Sequence, residues 1–201
     1  MAMRDGGSYQ FGLLVPGTPA FLSTWRRTGE WSVWDRHYLV GPGHALTISG
    51  GRRLEVIRRR MTAGGLRVES ELANSTFPLD WMVATVLAQV LPRRIHAAAA
   101  GARGEVQALV DALAVDWLAQ ASVHKHTRTF VKGRVTATLT RLDVPDWRAR
   151  GIHLDLAAPD AGALLALLGE CRLSPRDDLP LDAWLADAHR RASRGAAPRA
   201  A

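Results

Sequence analysis

At 201 residues, 47% of them hydrophobic and 22% charged, the chain is long enough to bury a sizeable core, and its composition excludes a disordered or fibrous protein. The net charge of +7, carried mostly by arginine, favours anionic partners such as nucleotides, polyphosphate or nucleic acid, although arginine-rich codon usage produces the same excess without any partner. The single cysteine, Cys171, excludes an intrachain disulfide and fits a reducing compartment.

The N-terminal stretch holds Arg4 and Asp5 and no apolar run of the kind a signal peptide needs. The longest apolar run, Trp81 to Leu91, is too short to span a bilayer, so a cytoplasmic protein is expected. Phe11 to Val15 is a short apolar run ended by Pro16-Gly17 and reads as a strand. Trp25 to Trp34 mixes aromatic and polar residues around Gly29 and reads as a loop or edge hairpin. His37 to Val40 and His44 to Ile48 are strand-sized pieces separated by Gly41-Pro42-Gly43.

A charged strand from Arg52 to Arg60 and a second from Leu66 to Leu72 flank Ala63-Gly64-Gly65, which predicts a β-hairpin. Period-two spacing puts Arg53, Glu55, Ile57 and Arg59 on one face of the first strand and Leu54, Val56, Arg58 and Arg60 on the other. In the second, Arg67, Glu69 and Glu71 share a face opposite Leu66, Val68 and Leu72.

A helix follows from about Leu79 to Val90, with Pro78 in its first turn and Asp80 suited to the helix dipole. A second helix is predicted over about Glu105 to Gln120, with Val106, Leu109, Val110, Leu113 and Trp117 on one face. "VHKHTRTFVKGRVTATLTRLDV" then predicts two antiparallel strands, Val123–Val131 and Arg134–Leu142, around Lys132-Gly133. Lys125, Thr127 and Thr129 share one face of the first strand, and His124, His126, Arg128 and Phe130 share the other. Ile152 to Leu156 is a further strand, a leucine-rich helix opens at Pro159-Asp160, and a last helix starts near Pro180.

The order strands, helices, strands, helices favours an α+β fold with a mostly antiparallel sheet or barrel and helices packed on it. The expected organisation is one domain over residues 1–190, with a central helical segment at about 77–120 and a flexible tail over 191–201. If the two charged hairpins share a sheet, basic side chains converge. Arg53, Arg59, Arg67, Lys125 and Arg128 are the candidate phosphate-binding residues, because guanidinium groups grip phosphate oxygens in pairs and lysine acts as a point charge. Glu55 and Glu69 are candidates to hold a divalent metal, Mg2+ or Mn2+, or to orient the arginines. A solvated sheet face accounts for the same alternation of charges.

From Leu118 onward the sequence resembles the C-terminal half of CYTH domains, the triphosphate tunnel enzymes. Lys125 and Phe130 keep that family's lysine-to-aromatic spacing, "VTATLTRL" stands at the following strand with Thr140 in place of an aspartate, and "IHLDL" puts His153 and Asp155 where paired glutamates would stand. "RLEVIRRR" and "LRVESEL" loosely resemble the family's middle strands, while its N-terminal E-x-E-x-K motif is absent. The resemblance implies a protein that binds a nucleotide, polyphosphate or phosphorylated metabolite, with metal-dependent phosphohydrolysis as its enzymatic form.

Two other readings stand beside it. Trp25, Trp31 and Trp34 with Arg26, Arg27 and Arg36 suit stacked bases in a basic nucleic-acid-binding or scaffold protein of a larger assembly. An apolar, tryptophan-lined pocket of a metabolic enzyme is the third, for which no catalytic constellation is present. Cys171, at the end of a leucine-rich helix, reads as a structural thiol.

Overall fold

The structure is a computed structural model that describes residues 7–40, 43–91, 109–110, 113 and 119–195. Eight strands form one closed barrel, and every pair in it is antiparallel. They are β1 (Ser8–Leu14), β2 (Arg26–Tyr38), β3 (His44–Ser49), β4 (Arg53–Met61), β5 (Arg67–Thr76), β6 (Gln120–Lys132), β7 (Val135–Val144) and β8 (Ala149–Ala158). Around the barrel the order is β1-β5-β4-β3-β2-β6-β7-β8. The N-terminal strand therefore closes the ring between β5 and β8, a long-range pairing that leaves the sheet without a free edge.

The charged hairpin over β4 and β5 forms as the spacing predicts, with Arg59 opposite Glu69. One extra residue, Leu72, bulges between the pairs Val56–Ala73 and Ile57–Glu71. The bulge keeps Glu71 and Asn74 on the same side as Glu55. The hairpin over β6 and β7 also forms, with Lys132 opposite Val135, and Gly133 takes φ +58° at the turn, a conformation that glycine adopts freely. The region read as a loop or edge hairpin is instead the first part of β2, which pairs with β6 from Arg26 to Tyr38. Its two faces meet a polar interior and solvent, so apolar and polar residues do not alternate and no strand period is visible.

Among the described residues three full helices pack on the barrel: α1 (Trp81–Val90), α2 (Ala161–Glu170) and α3 (Leu181–Gly195). Asp80 caps α1 by accepting from the Val83 N–H at 2.9 Å, and Asp160 caps α2 by accepting from Ala163 at 2.8 Å. Pro78 thus precedes the cap of α1 rather than entering its first turn. Val83, Leu87 and Val90 of α1 cover the outward Leu46, Leu54 and Val56, together with Leu109, Val110 and Leu113. The rest of the predicted 105–120 helix lies outside the described residues, except Ala119, which is not helical, and Gln120, which already belongs to β6. Leu164, Leu167 and Leu168 of α2 cover Phe11, Leu154 and Leu156. Trp184 and Leu185 of α3 meet Ala121, Val123, Leu142 and Val144 at one end of the barrel. That helix runs to Gly195, beyond the start of the expected tail at residue 191. No helix among the described residues is long and apolar enough to cross a membrane.

Candidate functional site

Alternation along the strands turns one set of side chains outward under the helices and the other into the barrel. The inward set is polar. One cavity of about 180 Å³ is lined by residues that include His37, Glu55, Arg59, Arg67, Lys125 and Asp182. A second, of about 260 Å³, is lined by residues that include Asp35, Lys125, Thr127, Thr140, His153 and Asp155. Lys125, Asp155 and Leu181 belong to both cavities, so the two chambers adjoin.

Arg67 is the buried centre of the first chamber, 3% exposed. Its Nε lies 3.2 Å from Glu69 Oε1, its Nη1 lies 3.4 Å from Asp178 Oδ1 and its Nη2 lies 3.7 Å from Asp155 Oδ1. These are long contacts, and neither Nε nor Nη1 makes a hydrogen bond to a protein atom. Arg59 is held more tightly, donating to Glu69 at 2.7 Å and pairing with Asp182. Burial alone would lower the Arg59 pKa, but the Asp182 and Glu69 carboxylates reverse that and raise it. Lys125 Nζ sits 2.7 Å from the buried Asp35, which also accepts from Ser49 at 2.6 Å.

The candidate residues from the sequence therefore divide. Arg59, Arg67, Glu55, Glu69 and Lys125 line one cavity. Arg53 lies at the exposed end of β4 and donates to Asn74 at 2.5 Å. Arg128 is on the outer surface, donating to Glu30 at 3.0 Å, because it is an odd number of residues from Lys125 along β6 and alternation turns it away.

A divalent metal does not fit this donor set as a resident ion. Glu69 is committed to Arg59 and faces Arg67, which is the orienting role. Burial pushes the Glu55 carboxyl up, with Lys125 drawing it back. Among the described residues no three His, Cys, Asp or Glu side chains converge where a metal ion could sit. Cys171 is half-buried, and burial and then Glu170 push its thiol up, which keeps it unreactive.

Sequence reasoning missed four carboxylate or imidazole groups. Asp35 follows directly on the stretch read as a loop or edge hairpin, and His37 opens a strand-sized piece whose inward face the sequence does not mark. Asp178 precedes α3 and Asp182 is its second residue, and no local pattern in the sequence marks either as inward. They reach the interior because the segment before α3 docks along β1. The Leu179 N–H donates to the Gly12 carbonyl at 2.6 Å, and the Gly12 N–H donates to Asp178 at 2.7 Å. Gly12 permits that approach: a Cβ there would lie 2.8 Å from His153 and 3.0 Å from both Asp155 and the Leu179 carbonyl.

His153 is fully buried, with Nδ1 2.8 Å from Asp155 and Nε2 2.7 Å from the Leu179 carbonyl oxygen. Both neighbours are acceptors, so the ring satisfies both only as an imidazolium, donating from each nitrogen. Burial alone would lower its pKa, but the Asp155 charge and hydrogen bond and the Leu179 carbonyl outweigh burial and raise it. His37 is the opposite case. Burial, then Lys125 and Arg59, hold it well below its ordinary value, and the ring is neutral.

The sign of the resulting pH dependence follows. With His153 raised above its usual 6.5, the folded state keeps a proton that the unfolded chain releases, so this stabilisation is complete below 6.5 and lost as pH rises through the raised value. His37 acts on the acid side, where the unfolded chain takes up a proton that the folded state refuses. Denaturant unfolding between roughly pH 6 and pH 9 should show stability falling with pH, and His153→Gln should flatten that fall. Equal slopes for the two proteins would assign the titration to another group.

No protein-family model matches the sequence, and no curated protein matches it significantly. Among solved structures the chain is similar to a conserved hypothetical protein from Pyrococcus furiosus, at 11% identity and a TM-score of 0.48, covering 86% of this chain and 95% of that one. It is also similar to a proposed adenylyl cyclase from Hippeastrum described as having a dominant triphosphatase activity, at 12% identity and a TM-score of 0.46, covering 81% and 85%. A third is a proposed adenylate cyclase from Bacillus halodurans, at 12% identity and a TM-score of 0.42, covering 87% and 94%.

Proposed function

We propose that the barrel interior binds a phosphorylated small anion, a nucleotide, polyphosphate or phosphorylated metabolite, on Arg67, Arg59 and Lys125. The observation that carries this reading is Arg67: a guanidinium 3% exposed whose Nε and Nη1 make no hydrogen bond to the protein, beside an open polar cavity. A buried charge with unmade hydrogen bonds is costly, and phosphate oxygens supply both the charge and the acceptors. The resemblance of the chain from Leu118 onward to CYTH domains agrees with it. Binding, rather than a chemical step, is what these residues support, because the His153 ring is committed at both nitrogens and every described histidine, arginine and lysine in the chamber faces a carboxylate or is held neutral.

Tripolyphosphate and ATP test the reading by thermal denaturation. A ligand present at about 100 times its Kd adds roughly 2.7 kcal/mol of stability. Stabilisation by at least one of them is expected without added Mg2+, and Mg2+ alone should shift nothing. If neither anion stabilises the protein, the reading is wrong.

Lys125→Ala should weaken anion binding by roughly 1–3 kcal/mol, the scale of a lost charge-assisted hydrogen bond. Lysine at the lip of a groove carries little of a fold's stability in general. Here, however, its partner Asp35 is buried, and the variant should lose stability too. Lys132, exposed on the β6–β7 turn and paired with Glu170, is the control. Isothermal titration that found equal losses from both lysines would reduce the effect to net charge.

A further inference from the structure

We propose that the outer face of β2, β6, β7 and β8 binds single-stranded nucleic acid, at a site separate from the barrel interior. Strand pairing places Glu30, Ser32, Trp34 and Arg36 beside Arg128, His126, His124 and Ser122. The next strand brings Asp143 and Arg141 beside His124 and His126, and β8 adds Arg150 beside Asp143. These are the outward residues, alternating with the inward Lys125 and Asp35.

The face is strongly unbalanced in charge. Arg27, Arg36, Arg128, Arg141 and Arg150 stand against only Glu30 and Asp143. Glu30 alone takes Arg27, His126 and Arg128 as partners, and Asp143 takes Arg150. Arg36 and Arg141 form no ion pair among the described residues.

An aromatic platform lies within this strip. Trp34 is 54% exposed, and one side of its ring stacks on His124 with centroids 4.8 Å apart at 29°. Such a surface suits a base, since bases stack on tryptophan whatever their identity, while arginines spaced along the strands meet the phosphates. A hollow of about 460 Å³ bounded by Val15, Pro16, Arg141, Asp143 and Arg150 continues the strip across β7 and β8. With strands about 4.8 Å apart and residues about 3.3 Å apart along each, the patch measures roughly 14 by 25 Å, room for a few nucleotides. A paired duplex hides its bases from Trp34, so a single strand is the occupant that uses both the ring and the charges.

Fluorescence anisotropy of a labelled oligothymidylate with the whole chain tests this. Binding is expected at low salt, with log affinity falling against log salt at a slope of about −0.7 for each phosphate neutralised. Trp34→Ala, and the double variant Arg36→Glu with Arg141→Glu, should each weaken it at least tenfold, while tripolyphosphate binding in the barrel is unaffected by either. No binding at low salt overturns the proposal. So does an unchanged affinity in Trp34→Ala, or a duplex or heparin bound as tightly as the single strand, since charge alone would then suffice. Competition by stoichiometric tripolyphosphate, or loss of the oligonucleotide in Lys125→Ala, would move the binding into the barrel and overturn it as well. The interior phosphate reading is tested separately and fails or stands independently of these outcomes.

Discussion

Replacing Arg67 by methionine is expected to destabilise the protein by about 3–5 kcal/mol, the usual consequence of removing one side of a buried ion cluster. The reason lies in what the guanidinium faces. Glu69, Asp155 and Asp178 all point at it, and without it these carboxylates meet in a buried chamber with Arg59, Lys125 and His153 as the remaining compensation. Burial already pushes the Asp178 carboxyl up, held back by Arg67 and the Gly12 N–H. Loss of Arg67 removes the larger of those restraints, and Asp178 should take up a proton more readily.

For a chain of this size, 1 kcal/mol moves the melting temperature by about 2–4 °C, so a shift on the order of 10 °C is expected. Arg67→Lys separates charge from shape. It keeps the charge and part of the stability but cannot present two parallel donors, so anion binding should fall further than stability does. Scanning calorimetry with and without tripolyphosphate reads both quantities. An unchanged melting temperature for Arg67→Met would mean that the cluster is not buried as described.

Much of this chamber was legible in the sequence, and the reason is local. In β4 and β5 the inward Arg59, Arg67 and Glu69 alternate with outward residues over an unbroken stretch, and a period of two needs no knowledge of distant contacts. The same holds for Lys125 and Thr127 in β6. What was not legible required partners far along the chain. That β1 closes the ring between β5 and β8 is fixed by pairings such as Tyr9 with Val68 and with Ala158, which no local pattern announces.

The β2 strand escaped because Trp31 and Trp34 lie on opposite faces, one toward the interior and one toward solvent, and neither face is apolar enough to produce alternation. His153 and Asp155 were visible as a pair with strand spacing. Their meaning came only from the Leu179 carbonyl, a second acceptor that favours the protonated ring.

The segment that delivers that carbonyl also carries acidic side chains into the barrel. Asp178 faces Arg67 and Asp182 pairs with Arg59, so the approach to α3 and its first turn place two carboxylates on the two arginines that a phosphorylated ligand would use. The placement is firm: Leu179 donates to Gly12, its carbonyl accepts from His153, and Trp184 and Leu185 pack into the end of the barrel behind it. A ligand anion must therefore compete with charges that the chain itself supplies.

Removing that competition by Asp178→Asn with Asp182→Asn should strengthen tripolyphosphate binding. If each of the two carboxylate contacts contributes roughly 1–2 kcal/mol, affinity rises on the order of thirtyfold to several hundredfold. The folded state should lose stability without ligand, because Arg59 and Arg67 each give up a partner, and regain it when the anion is present. Asp187, farther along the same helix and paired with Arg190 and Arg191 on the surface, provides a control that changes the charge by one unit against two, and Asp187→Asn should leave affinity unaltered. Isothermal titration distinguishes the outcomes. A tighter complex in the double variant alone supports direct competition at the arginines. A gain from Asp187→Asn of half the double variant's free energy or more would reduce the effect to overall charge, and a loss of affinity in the double variant would show that these aspartates help to hold the ligand rather than exclude it.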